Sequence, residues 1–88
     1  MSSVIFKYPL EMGDTNLELP IGAKLLHVNT YNGQLMLWAL QPDKIDVPTT
    51  IFQIRVYGTG HVLNTDKANH YYIGTVHIPP FVWHVFEV

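Results

Sequence analysis

The chain contains no cysteine, which excludes disulfides, thiolate nucleophiles and thiolate metal ligands together. Charge is scarce as well. Lys and Arg number five and Asp and Glu seven, 14% of the chain, for a net charge of −2 with histidine neutral. The cations Lys7, Lys24, Lys44, Arg55 and Lys67 are scattered along the sequence, whereas a nucleic-acid groove needs several on one face to displace counterions. DNA and RNA are therefore not the expected partners; a small phosphate-bearing ligand needs far fewer cations. No apolar run approaches the roughly 20 residues that cross a bilayer. The start, MSSVIFKYPLE, also lacks the basic head and long apolar stretch of a secretion signal. A cytoplasmic location, with no membrane partner, is the expectation. Helical spacing is missing too: no stretch of about ten residues carries it free of Pro, Gly or β-branched residues.

What is present is period-two alternation along most of the chain. The hydrophobic fraction of 48% is ordinary for a globular protein, and 88 residues support one core and no second. So few charged side chains leave apolar and aromatic groups on the surface of a small body, which points to a homo-oligomer. Strands are expected at Val4–Tyr8, Asn16–Leu19, Ile51–Tyr57, Tyr71–Ile78 and Phe81–Glu87. Turns fall at Gly13-Asp14, at Pro20-Ile21-Gly22 and along the polar run Pro42–Thr50, and Pro79-Pro80 stops any strand from running through. The expected fold is all-β and mainly antiparallel: one domain over residues 1–88, either a small β-sandwich or a partly open β-barrel. Room is left for one short helix around Asn64–Asn69 in the 61–70 loop.

The clearest element is KLLHVNTYNGQLMLWALQ, in which Asn32-Gly33 joins two apolar runs as a two-residue turn with positive φ at both positions. That turn predicts the register. Tyr31 faces Gln34, Thr30 faces Leu35, Val28 faces Leu37 and Leu26 faces Ala39, giving a core face of Leu26, Val28, Leu35, Leu37 and Ala39. The opposite face pairs His27 with Trp38 and Asn29 with Met36, a polar and aromatic surface suited to a pocket or a subunit contact.

Chemistry-bearing residues are sparse. Gly58-Thr59-Gly60-His61 follows a strand, and two glycines there let successive N–H groups point one way to hold a phosphate or carboxylate, with hydroxyl and imidazole as further donors. A tight turn or bulge is the commoner reason for such a pair. The five histidines, His27, His61, His70, His77 and His84, lack the HxH or HxxxH spacings that gather a zinc site, so no metal is expected. His84, between Val82 and Phe86 on one strand face, reads as a hydrogen-bonded histidine in a central or interfacial strand. No serine or threonine sits in a nucleophile elbow, and Asp43, Asp46 or Asp66 with His61 or His70 makes an acid–base pair only on paper. Eleven aromatics (two Trp, five Tyr and four Phe) exceed what one small core needs, and some can serve as stacking or contact surface.

Six segments in order carry a resemblance: Phe6-Lys7-Tyr8-Pro9-Leu10, Leu19-Pro20-Ile21-Gly22-Ala23, Leu37-Trp38-Ala39-Leu40, Tyr57-Gly58-Thr59-Gly60-His61, Tyr72-Ile73-Gly74-Thr75-Val76 and His84-Val85-Phe86-Glu87. Together they resemble a family of short phage and prophage proteins that carry a domain of unknown function. The resemblance implies a small β protein of phages and mobile elements, and it makes GTGH part of a shared pattern. The expected function is a non-enzymatic accessory protein that sequesters a small anionic ligand, such as a nucleotide signal of host defence. In that reading Gly58, Thr59, Gly60 and His61 hold phosphate, Lys7 or Arg55 neutralises charge, and Trp38, paired with His27, or a tyrosine stacks on a base; no cofactor is needed. A protein-binding inhibitor working through an aromatic patch or edge strand is the alternative, and a nucleotide hydrolase using His61 with an aspartate is the third.

Overall fold

The computed structural model describes residues 2–64 and 70–88, and it is all β. Seven strands follow in order: β1 (Ser3–Pro9), β2 (Asp14–Pro20), β3 (Lys24–Tyr31), β4 (Gln34–Pro42), β5 (Thr49–Gly58), β6 (Tyr71–Ile78) and β7 (Phe81–Glu87). They form two antiparallel sheets. The first has the order β1-β4-β3 and the second β2-β5-β7-β6. Neither closes on the other as a barrel, so the sandwich expectation holds and the barrel does not. A helix is absent among the described residues, and the one expected around Asn64–Asn69 lies almost wholly outside them. It follows that no helix there is long and apolar enough to cross a membrane.

Alternation explains the layers. Leu35, Leu37 and Ala39 of β4, Val28 of β3, Leu17 and Leu19 of β2, Ile54 and Val56 of β5, Val76 of β6 and Val85 of β7 point between the sheets and lose nearly all contact with solvent. Each fully buried aliphatic side chain contributes about 1.5–3 kcal/mol. Leu10, just past β1, closes one end of this layer, its amide donating to the Leu35 carbonyl at 2.9 Å. The sheets meet most closely where β3 crosses β6. There Gly74 leaves so little room that a Cβ would fall 2.8 Å from Val28 Cγ2.

The hairpin turn forms as expected, with φ of 51° at Asn32 and 78° at Gly33. The register Tyr31–Gln34, Thr30–Leu35, Val28–Leu37 and His27–Trp38 is also as expected. It fails at one rung. A β-bulge between Leu25 and His27 puts Leu25, not Leu26, opposite Ala39, so Leu25 packs on the core and Leu26 is 44% exposed. An extra residue in one strand reverses the face of whatever precedes it, and two adjacent leucines give no hint of which turns inward. β7 lies between β5 and β6, the central position its sequence suggests, and its outward Phe86 is flanked by the Tyr57 and Tyr72 rings of those neighbours.

Candidate functional site

The Gly58–His61 loop leaves β5 and turns back on itself rather than outward. The Gly58 amide donates to His61 Nδ1 at 2.9 Å, the Thr59 amide to the Val82 carbonyl at 3.2 Å and the His61 amide to the Gly58 carbonyl at 3.1 Å. Three of the four amides expected to cradle an anion are thus already engaged within the protein. In this structure the loop is a turn that holds His61. Its glycines have separate reasons: Gly60 has φ +91°, and a Cβ on Gly58 would lie 2.9 Å from His61 Cε1 and 3.2 Å from Trp83 Cζ3. Since His61 Nδ1 accepts a hydrogen bond, the proton of the neutral ring sits on Nε2. The loop borders an open depression of about 400 Å³ lined also by Pro80, Phe81, Val82 and Trp83, with Phe81 59% exposed.

Thr59 ties this loop to the outer face of the second sheet. Its hydroxyl lies 2.7 Å from His84 Nε2, while Thr75 Oγ1 lies 3.1 Å from His84 Nδ1 and 2.6 Å from the Tyr72 hydroxyl. One direction satisfies the chain: Tyr72 donates to Thr75, Thr75 to Nδ1, and Nε2–H to Thr59, whose hydroxyl faces the Val82 carbonyl at a long 3.5 Å. A neutral imidazole fits, because it donates at one nitrogen and accepts at the other. Beside it, Phe86 is ringed edge-on by Tyr57, His70 and Tyr72 at centroid distances of 5.8, 5.9 and 5.5 Å. Arg55 lies on this same sheet, and its charge is taken: Nε sits 2.6 Å from Asp14 Oδ1. Hydrogen bonding from Arg55 is the leading reason that the Asp14 carboxyl is held below its usual range, and the same bond keeps the guanidinium still more firmly protonated. A second depression, of about 380 Å³, includes Glu11 and Asp14 in its lining, which is the wrong sign for an anion.

The remaining expected residues come together elsewhere. On the first sheet Lys7 of β1, Trp38 of β4 and His27 of β3 occupy one rung and project from the outer face, with the His27 and Trp38 rings 6.2 Å apart. Lys24 shares that face one rung pair further on, opposite Leu40. The Lys7 ammonium lies 4.8 Å over the Tyr31 ring, reaching across β4, and among the described residues no carboxylate pairs with it. The charge distribution is the notable point. β1, β3 and β4 hold Lys7 and Lys24 and no Asp or Glu, whereas β2, β5, β6 and β7 hold Asp14, Glu18 and Glu87 against Arg55 alone. The strands therefore carry +2 on one sheet and 1 − 3 = −2 on the other.

A family model described as a domain of unknown function (DUF7352) matches residues 1–88. The chain belongs to the DUF7352 family. No curated protein and no solved structure matches it. Within this DUF7352 protein the expected site residues divide into two groups. Gly58, Thr59, Gly60, His61 and Arg55 belong to the second sheet, and Lys7, His27 and Trp38 share a face of the first. Sequence reasoning passed over Tyr57, Tyr72, Thr75 and Asp14, whose partners are 3 to 41 residues away and leave no local signature. Among the described residues no cluster of three His, Asp or Glu is arranged to hold a metal ion.

Proposed function

We propose that this DUF7352 protein is a non-enzymatic binding protein for a small ligand that joins an anionic group to a planar ring, a nucleotide being the simplest example. The observation that carries the reading is the Lys7–Trp38–His27 rung on a sheet whose strands contain no carboxylate. An indole at the middle of a sheet offers its face to a base, worth about 1–3 kcal/mol, while cations on the flanking strands meet phosphate oxygens without a competing carboxylate. In the phage setting that the sequence resemblance implies, a nucleotide signal of host defence is the ligand of interest, and sequestration needs no turnover. Calorimetry against a panel of mononucleotides, cyclic mononucleotides and cyclic dinucleotides tests this. Binding is expected for at least one, with the ligand recovered intact, and with Trp38→Ala and Lys7→Gln each weakening it about tenfold or more. No binding by any member up to millimolar concentration sinks the proposal. A second reading, inhibition of a protein partner, is favoured by Tyr72, 61% exposed beside Phe86 on the other sheet.

A further inference from the structure

Sandwiches have four edge strands, and here three are guarded. β3 and β6 each carry a β-bulge, between Leu25 and His27 and between Tyr72 and Gly74, and β2 carries the carboxylates Asp14 and Glu18. β1 is different. It runs unbroken from Ser3 to Pro9 against β4, with no bulge and no carboxylate, its one charge being Lys7, whose ammonium lies over Tyr31, and its one proline standing at the strand's end. The hydrogen-bond phase of this ladder can be read from its two ends: the Leu10 amide donates to the Leu35 carbonyl at 2.9 Å, and the Asp43 amide to the Ser2 carbonyl at 3.1 Å. Even-numbered residues of β1 therefore direct their main-chain groups at β4. The N–H and C=O of Ser3, Ile5 and Lys7, and the C=O of Pro9, face the open edge. At this edge Ile5 is 54% exposed and Phe6, an inward-facing residue opposite the buried Ala39, is 49% exposed.

We infer that β1 pairs with β1 of a second copy of this chain, antiparallel about a two-fold axis at Phe6, joining two three-stranded sheets into one of six. A second copy is the occupant because the strand is self-complementary about its own midpoint. Ile5 then faces the partner's Lys7 and Ser3 the partner's Pro9, so the outward N–H and C=O groups meet in about six main-chain hydrogen bonds. Pro9, which has no N–H, falls at the end of the ladder, where none is required. On the inner face Phe6 meets Phe6 and Val4 meets Tyr8, continuing the apolar layer. On the outer face neither lysine sits opposite the other, and an isologous pairing of this kind closes at two copies.

The absence of cysteine makes the test clean. In Phe6→Cys the two thiols would sit on the axis in a non-hydrogen-bonded pair, whose Cα separation of about 4.5 Å is within disulfide range. Under mild oxidation this variant is expected to cross-link at least tenfold faster than Ile51→Cys, which is similarly exposed on the other sheet. Light scattering on the wild-type chain is expected to show a dimer that grows with concentration, as befits an interface below about 1,200 Å². Ile5→Pro, which removes an outward N–H and no bond to β4, should abolish it; circular dichroism reports whether that variant folds, and the cysteine variants carry the test if it does not. A wild-type chain that stays monomeric to several hundred micromolar, as it would if β1 instead received a strand of another protein, overturns the inference. So does Phe6→Cys cross-linking no faster than the control, or a dimer that a folded Ile5→Pro leaves intact.

Discussion

Gly74 is where the two sheets come closest, and replacing it with alanine should be among the costlier small changes in the molecule. The added methyl would lie 2.8 Å from Val28 Cγ2, about 1 Å inside ordinary contact, and Val28 is only 2% exposed. Valine cannot easily turn away, because its χ1 is stiff and its neighbours are packed. The strands must then part slightly or the rotamer must strain, at about 1–3 kcal/mol. Relief of glycine's excess unfolded-state entropy returns about 0.5–1 kcal/mol. The net expectation for Gly74→Ala is a loss of about 0–2.5 kcal/mol, centred a little above 1 kcal/mol, where a domain of this size loses roughly 4–10 °C in melting temperature. Val28→Ala removes the obstacle at its own cavity cost, so the double variant should be more stable than the sum of the singles by about 1 kcal/mol. Urea denaturation of the four proteins measures this cycle. Strictly additive singles would refute the close packing of β3 on β6.

The bulge in β3 makes a paired prediction: Leu26→Ser should change stability by less than about 0.5 kcal/mol, whereas Leu25→Ser should cost about 2 kcal/mol or more by the same urea assay. Gly58→Ala pushes against an imidazole that can swing aside, so the fold should survive while the residue-58 amide loses its bond to His61. Amide exchange by NMR should register this as faster exchange at that position. Asp14 titrates lower in the folded chain than its ordinary 3.8, so its stabilising effect is fully present above that value and is lost as pH falls below it through the folded pKa. Both partners are substantially exposed, which limits the effect to less than about 1 kcal/mol. Asp14→Asn should flatten that part of the acid limb in thermal melts, and an unchanged limb would show the pair to be inert.

What the sequence reveals here is the local part of the structure. Asn32-Gly33 defines a hairpin because its turn geometry is intrinsic to two residues, and the register it sets holds until Leu26. The bulge, by contrast, is decided by which leucine fits beside Ala39, a fact of the assembled core. Strand orders β1-β4-β3 and β2-β5-β7-β6 depend on pairings across as many as 41 residues, for which alternation offers no guide. The same limit applies to the site. Glycines at 58 and 60 announce a special backbone, yet whether the amides face outward or fold onto His61 depends on Val82 and Trp83, which arrive from β7. Lys7, His27 and Trp38 become one rung only because β4 lies between β1 and β3.

Lys7 stands where the two proposals meet, and the alternation of a strand allows them to be separated. Its side chain rises from the outer face beside Trp38, while its main-chain N–H and C=O point sideways, away from β4, into the open edge of the sheet. Truncating the side chain therefore alters the ligand face and leaves the edge ladder intact; blocking the neighbouring edge amide does the reverse. Lys7→Gln should lose nucleotide affinity and still dimerise, and Ile5→Pro should become monomeric and still bind. If either substitution abolished both properties, the ligand face and the strand edge would be one interface. The ligand would then be held between two copies, with Lys7 of each contributing charge.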